Sequence, residues 1–243
     1  MAPPSLVDQI HELSERLRHI VAVLPQEDPF RLPTGRKPAE SFLFEMKILL
    51  ELLYALKQAG WTIDIERPGG EIRFVRAPAK KSTASYFRIS KDGTTRQITQ
   101  GTKVADRHGK ERAPNICLQA GMAGMAPTYQ DVLALWDAKL HGIAGTVHEG
   151  PITDAEFRSF AMVRSWLAPP LPGNDGLADW PPAFTVCALI SNGKKPTEPA
   201  EVLLEAGVSV VENYTGTNSP TWPTRQQHID SQNKKGLAKK IGP

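Results

Sequence analysis

The stretch that decides the fold is DVLALWDAKL, at residues 131–140. Its apolar residues run unbroken up to Asp137, which is typical of a strand buried on both faces. Because side chains alternate along a strand, Asp137 and Lys139 share one face with Leu133 and Leu135. Two charged side chains on one face of a buried strand either pair with each other or serve a site. The stretch therefore predicts either an ion pair at the rim of a sheet or part of a functional site.

A second short strand precedes this one at residues 114–119, with the sequence PNICLQ. A glycine-containing stretch separates the two strands and favours a hairpin between them. In such a hairpin Asn115 lies beside Asp137. Gln119 is on the same strand face as Asn115, so we expect it to add a contact there.

A strong helix pattern at residues 40–59 supplies a third polar candidate, Glu45. Glu45 is the only charge in an apolar stripe at helical spacing, and an acid on a buried face needs a base, hydrogen bonds or a metal as its partner. Glu51, by contrast, lies near Lys47 in a pattern that predicts a solvated face. The apolar stripe consists of Phe42, Ile48, Leu49, Leu52 and Leu56.

The remaining pattern predicts an α/β fold, in which a mixed central sheet is flanked by helices. We expect three parts: an N-terminal helix and Pro-rich linker over 1–39, a folded domain over 40–214, and a basic tail over 215–243 whose composition is typical of disorder. The other predicted helices are 5–24, 154–167 and 198–206, and the other predicted strands are 61–66, 71–76, 85–90, 96–99, 184–191 and 207–213.

The net charge of +3 is unevenly distributed. Residues 67–112 contain twelve Lys or Arg and four Asp or Glu, a local charge of +8, and residues 225–243 carry a local charge of +4. The rest of the chain is therefore at −9. Concentrated positive charge fits either a surface for a polyanion or a pair of solvated basic loops.

Composition also excludes several classes of protein. The two cysteines, Cys117 and Cys187, are too few for a disulfide scaffold or a four-cysteine zinc site, and both lie in apolar runs that predict buried, reduced thiols. No stretch is apolar enough to span a membrane, and the first residues do not form a signal peptide. We therefore expect a cytoplasmic protein without a membrane partner.

Taken together, the helix acid, the Pro114-Asn115 pair and the Asp137-x-Lys139 pattern resemble the PD-(D/E)xK nucleases, the restriction-endonuclease-like superfamily. In that family, a helix glutamate, a Pro-Asp at a strand start and an acid-x-Lys on the neighbouring strand converge on one or two divalent metals. The resemblance covers about residues 40–213, and it implies the family's restriction-endonuclease-like core.

The resemblance implies a metal-dependent DNA endonuclease that hydrolyses phosphodiester bonds. Mg²⁺, or Mn²⁺ in its place, would be held by Glu45, Asn115 and Asp137, because a hard cation prefers oxygen ligands. Lys139 would lie near the attacking water or the scissile phosphate, as a charge stabiliser or a proton acceptor. The cation would stabilise phosphoryl charge and provide a nucleophilic water at neutral pH.

The resemblance also implies a set of partners. The basic β-hairpin region at 67–112 would line a groove for DNA, and Lys80, Lys81, Lys194 and Lys195 are the predicted nucleic-acid contacts. Many members of this family work as dimers or higher oligomers, serve bacterial restriction or phage defence, and respond to an activating ligand or partner protein. For this chain these properties are expectations.

Asn115 departs from the family pattern, which has aspartate at this position. Asparagine keeps the shape and one oxygen ligand but loses a full negative charge, so metal binding should be weaker. Three explanations follow: an aspartate was replaced to inactivate the enzyme, the metal site is completed by another residue, or the fold is retained for binding. The presence of Glu45, Asp137 and Lys139 favours the first. The alternative function is a catalytically inactive nuclease-like module that binds nucleic acid or a partner protein.

Overall fold

The structure is a computed structural model that describes residues 40–70, 72–141, 152–167, 169, 180–194 and 207–214, together with Asp8 and Glu12. Asp8 and Glu12 are helical. The rest of the helix predicted at 5–24, the helix predicted at 198–206 and the tail at 215–243 lie outside the described residues.

From Glu40 onward, the described residues form two α-helices, nine strands and three 3₁₀ turns. The 3₁₀ turns span Lys81–Thr83, Tyr129–Asp131 and Pro182–Thr185. The helices are α1 (Glu40–Gln58) and α2 (Asp154–Leu167). The strands are β1 (Thr62–Glu66), β2 (Tyr86–Lys91), β3 (Thr94–Gln100), β4 (Val104–Ala105), β5 (Glu111–Arg112), β6 (Ile116–Ala120), β7 (Val132–Lys139), β8 (Cys187–Ser191) and β9 (Val208–Val211).

Seven strands form one mixed sheet in the order β1-β2-β3-β6-β7-β8-β9. The pairs from β1 to β7 are antiparallel, whereas β7-β8 and β8-β9 are parallel. The small β4-β5 hairpin stands apart from this sheet. The predicted α/β class with a mixed sheet and helices is confirmed, and most of the strand pairs are antiparallel.

The sheet separates two apolar layers. One contains most of α1 together with Ile98, Ile116 and Trp136, and the other contains residues of α2 together with Cys117 and Cys187. Both cysteines are buried free thiols, as predicted. Burial raises the pKa of the Cys117 thiol to about 12 and that of Cys187 to about 11.

Most predicted element positions agree with the structure. The helix at 154–167 has the predicted bounds, and Asp92 and Gly93 both adopt positive φ (49° and 77°) in the turn between β2 and β3. That conformation suits a two-residue hairpin turn. The strand predicted at 184–191 begins only at Cys187, because Pro182–Thr185 forms a 3₁₀ turn.

The predicted strand at 71–76 is wrong. Residues 72–76 form no strand, and β1 pairs with β2 instead. The backbone of this segment bonds elsewhere: the Arg73 N–H donates to Ser85 Oγ at 2.8 Å, and the Val75 N–H donates to Gln100 Oε1 at 3.0 Å. Side chains and the backbone N–H of Ser85 thus take its hydrogen-bonding capacity, rather than a neighbouring strand.

The solvated face predicted for α1 is also wrong. Lys47 is buried, and its Nζ donates to Glu51 Oε1 at 2.7 Å and to the Tyr214 hydroxyl at 3.0 Å. The Tyr214 hydroxyl in turn donates to Glu51 Oε2. A residue far along the chain therefore covers this side of α1 and completes a buried polar group.

Among the described residues, no helix is long and apolar enough to cross a membrane.

Candidate functional site at one end of the sheet

Strands β6 and β7 bring Asn115 and Asp137 together. Ile116 pairs with Trp136, so one step further along this antiparallel ladder Asn115 faces Asp137. The Asn115 Nδ2 donates to the backbone oxygen of Ala138 at 3.3 Å. This bond turns the carboxamide toward the end of β7, where the acid and the lysine lie.

Asp137 and Lys139 form an ion pair on one face of β7. Lys139 Nζ lies 3.1 Å from Asp137 Oδ2, and the two side chains are 33% and 14% exposed, respectively. Burial raises the pKa of Asp137, and the neighbouring Lys139 opposes that rise. The lysine is exposed enough to reach a ligand, while the acid lies behind it.

Helix α1 places Glu45 at the same end of the sheet. Burial raises the pKa of Glu45 to about 7, a hydrogen bond from Gln100 lowers it, and the charges of Asp137 and Lys139 act in opposite directions on it. Gln100, which bonds to Glu45, pairs with Ile116 of β6, so Glu45 lies next to the end of β6 at which Asn115 faces Asp137. Glu45, Asn115, Asp137 and Lys139, which the sequence analysis selected, are therefore brought together.

Gln100, at the end of β3, is a site residue that the sequence analysis missed. It is buried, and its Nε2 donates to Glu45 Oε1 at 2.5 Å and to the backbone oxygen of Val75 at 2.7 Å. Its Oε1 accepts from the Val75 N–H. The only sequence signal was a polar residue just beyond a predicted strand, and its burial depends on the distant segment that contains Val75.

Two further residues adjoin the site from the α2 side. The charge of Glu156 raises the pKa of Asp137, and Glu156 Oε2 lies 3.4 Å from His141 Nε2. The side chain of Asn192 holds the backbone of His141 through two bonds of 2.7 Å, accepting from its N–H and donating to its carbonyl. Sequence reasoning did not identify Glu156 or Asn192, because the packing of α2 on the sheet places Glu156 and the parallel β7–β8 pairing places Asn192.

Gln119 does not join the site, which corrects the expectation that it adds a contact beside Asn115. Its Oε1 accepts from Lys81 Nζ at 3.0 Å and its Nε2 donates to Thr99 Oγ1 at 3.3 Å. A register shift between Leu118 and Gln119 interrupts the regular alternation of β6. Gln119 is fully buried toward the other end of the strand.

Lys81 does not fit the predicted role of a phosphate contact, because it is fully buried. Its Nζ donates to Gln97 Oε1, to Gln119 Oε1 and to the backbone oxygen of Ala123, the last at 3.1 Å. Burial lowers the pKa of Lys81 to about 8. Lys80 and Lys194 are exposed. Lys195 lies outside the described residues.

The oxygen atoms of the candidate site's side chains are of the type that a hard divalent cation prefers. The set has one negative charge fewer than the PD-(D/E)xK pattern that the sequence resembles. Two partly buried carboxylates, Glu45 and Asp137, are accompanied by the Asn115 carboxamide, and oxygen ligands of this kind suit Mg²⁺. Among the residues that the structure describes, no group of three or more His, Cys, Asp or Glu could hold a metal.

The arrangement combines two acids, Glu45 and Asp137, with the partly exposed Lys139. A cation would stabilise both acids in their charged form. Such a site can bind an anionic ligand through the cation and the ammonium group. No protein-family model matches the chain, and no curated protein or solved structure matches it either.

Proposed function

We propose that the protein is a metal-dependent DNA endonuclease of the restriction-endonuclease-like class. The observation that carries the proposal is the shared position of Glu45, Asn115, Asp137 and Lys139 at one end of a mixed sheet. Those four residues come from one helix and two adjacent antiparallel strands, in the order expected from the resemblance.

In this proposal, Glu45 and Asp137 hold a Mg²⁺ ion, and Asn115 adds a carboxamide oxygen. When bound, the cation supplies charge stabilisation for the phosphoryl oxygens and lowers the pKa of a bound water. Lys139 would stabilise the charge that develops on the phosphate, and its ion pair with Asp137 keeps the ammonium group beside that carboxylate. Gln100 orients Glu45 through its hydrogen bond.

The asparagine at 115 limits the activity of this chain. An aspartate there would add a third carboxylate opposite Asp137, without a change in side-chain shape. We propose that the present chain is a weakened form of the site. A substitution that restores the carboxylate is therefore the most direct test.

The test is a plasmid-nicking assay with Mg²⁺, Mn²⁺ or EDTA. It compares the chain as it stands with Asn115→Asp and with Asn115→Asp combined with Lys139→Ala. We expect Asn115→Asp to cut DNA only with metal and the double variant to lose that activity. Metal-independent cutting, or equal cutting by the double variant, would contradict the assignment.

A second candidate function is a nuclease-like module that binds nucleic acid or a partner protein without cutting. The small number of carboxylates at the site favours it. In the same assay, this function predicts no cutting by any of the three proteins on duplex or single-stranded DNA. It also predicts salt-dependent DNA binding that Asn115→Asp leaves unchanged.

The remaining expectations extend the proposal. An enzyme that cuts both strands of a duplex needs two sites, which favours a homodimer or higher oligomer. We place the enzyme in the cytoplasm, in restriction or phage defence, with an activating ligand or partner protein as a further requirement. Light scattering of the purified protein, with and without DNA, tests the oligomeric state.

A further inference from the structure

The basic residues of the 67–112 region are not equivalent in the structure. Several are already engaged: Lys81 is buried, and ion pairs join Arg88 to Glu66, Lys103 to Glu111 and Arg112 to Asp106. Arg73 and Arg76, in contrast, are exposed. Within the described residues, no carboxylate pairs with either guanidinium group. The positive charge available to a ligand is therefore less than the sequence indicates, and Arg73 and Arg76 are part of it.

Arg73, Arg76 and the exposed Lys80 all belong to residues 72–80, here called the 72–80 segment. Its backbone is held at three positions, although it forms no regular strand. A segment held in this way presents its charged side chains at a lower entropic cost than a loose loop. The Arg73 N–H donates to Ser85 Oγ and the Arg73 carbonyl accepts from the Ser85 N–H, both at 2.8 Å. The Val75 N–H and carbonyl bond to the Gln100 side chain at 3.0 and 2.7 Å. The Ala79 N–H donates to the Gly101 carbonyl at 3.1 Å, and the Ala79 carbonyl accepts from the Lys103 N–H at 2.8 Å.

One of these anchors, between Val75 and Gln100, also connects the 72–80 segment to the candidate site. Gln100, which binds both backbone groups of Val75, also donates to Glu45. The guanidinium carbon of Arg76 lies 5.5 Å from the centre of the Phe42 ring. Phe42 precedes Glu45 by about one helical turn on α1. Arg76 is therefore fixed beside the site, with its charge directed to the surface.

We propose that the 72–80 segment binds the phosphate backbone of duplex DNA, with Arg76 as the contact nearest to Glu45 and with Arg73 and Lys80 on either side of it. This inference rests on the proposed function, and it names the residues that would hold the substrate. Guanidinium groups suit phosphate because their donors match its oxygens. Contacts of this kind position a duplex without reading its sequence.

The segment favours duplex over single-stranded DNA. Binding of single strands relies on exposed rings on which bases stack. In the described part of the chain, the exposed large apolar side chains are Met122, Met125, Tyr129 and Met162, and none belongs to the 72–80 segment. Phe74, the ring within the segment, stacks on Phe87 with a centroid distance of 6.0 Å. The segment thus offers charge without a stacking surface.

The experiment measures DNA affinity by fluorescence anisotropy, in EDTA, with the chain as it stands. The probes are a labelled duplex of about 20 base pairs and one of its single strands, titrated over a series of NaCl concentrations. The variants are Arg76→Gln and the triple variant Arg73→Gln, Arg76→Gln, Lys80→Gln. The matched control is Lys110→Gln, an exposed lysine of the same basic region in the turn between β4 and β5.

We expect Arg76→Gln to weaken duplex binding by roughly fivefold to tenfold and to reduce the slope of log K against log salt by about one. The triple variant should weaken binding by about a hundredfold or more and reduce the slope by about three, as expected for the loss of three phosphate contacts. Lys110→Gln should leave affinity within about twofold of the unaltered chain.

Any of four results would overturn the proposal: an equal loss in Lys110→Gln, an unchanged salt slope in the triple variant, tighter binding of the single strand, or no duplex binding at low salt.

Failure of the proposed function has a different signature. If Asn115→Asp does not cut DNA while the triple variant loses duplex binding, the endonuclease assignment fails and this inference stands. If Asn115→Asp cuts and the triple variant binds as before, only this inference fails.

Discussion

Lys139 and Lys81 lie in two polar clusters of the same molecule, and the clusters differ in charge and access. Lys139 is one-third exposed and pairs with Asp137, close to a second acid, Glu45. Lys81 is fully buried, and the three oxygens to which it donates are all uncharged. One cluster combines charge with access to a ligand, and the other is closed and internally satisfied.

Under the proposed function, the Lys139 cluster serves catalysis, whereas the Lys81 cluster serves structure. A cation would stabilise the charged forms of Glu45 and Asp137, whose pKa values burial raises. The Lys81 cluster fixes the loop after β6, because Lys81 and Gln97 both bond to its carbonyl groups. Each of the following predictions tests this distinction.

The largest effect is expected for Lys139→Ala in the Asn115→Asp background. Loss of a group that stabilises transition-state charge typically lowers the rate by about 10²–10⁴-fold, and we expect cleavage to fall by that amount. The rate is measured by plasmid nicking, and the unfolding midpoint is measured on the same sample. A parallel loss of stability and activity would instead give Lys139 a structural role.

For Lys81→Met we expect the opposite result, a loss of stability. Removal of the ammonium leaves Gln97 Oε1 and Gln119 Oε1 without this donor and takes one of two donors from the Ala123 oxygen, which should lower the free energy of unfolding by about 3 kcal/mol. Urea unfolding followed by circular dichroism measures the change. Lys80→Met, at the exposed neighbouring position, should shift it by less than about 0.5 kcal/mol. Equal stability of the two variants would contradict the structural role of Lys81.

A smaller effect is expected for Gln100→Leu. Gln100 orients Glu45, and loss of a residue that orients a metal ligand costs about tenfold or more in metal affinity. Mn²⁺ titration of the Asn115→Asp protein by electron paramagnetic resonance measures this affinity. Gln97→Leu, on the opposite face of the same strand, should lower stability but leave Mn²⁺ affinity unchanged. A loss of Mn²⁺ affinity in both variants would show a general loss of folding.

A further effect is a pH dependence of stability that originates from Lys81. Its pKa is about 8 in the folded protein, against 10.5 as the ordinary value. Between these two pH values the unfolded chain binds one more proton, so this group makes stability rise with pH across that window. Unfolding free energies at pH 8 to 10.5 measure the rise, and Lys81→Met should reduce it. An identical pH profile in that variant would contradict the assignment.

Much of the candidate site could be predicted from local pattern. Alternation along β7 places Asp137 and Lys139 on one face, and the short β6–β7 connection makes Asn115 the neighbour of Asp137. Glu45 was identifiable as a charge within an apolar helical stripe. These inferences need only the periodicity of one element or the pairing of adjacent strands.

Contacts between distant segments were not predictable. Lys47 and Glu51 look solvated in the sequence, and only the return of the chain at Tyr214 covers them. The segment around Val75 alternates like a strand, but Gln100 and Ser85 take its backbone hydrogen bonds. In each case, a residue far along the chain decides whether a polar group is buried and which partner it has.

The sequence by itself determined the elements of the sheet, the tight turn at Asp92-Gly93 and the residues that could carry chemistry, because these follow from local periodicity and backbone preference. Only the tertiary structure decided which basic residues remain available to a ligand. Lys81 and Arg76 both lie in one basic stretch of sequence. Lys81 is buried among neutral oxygens, whereas Arg76 is exposed at the surface beside Glu45. Burial depends on what packs over a residue, and that is a property of the whole fold.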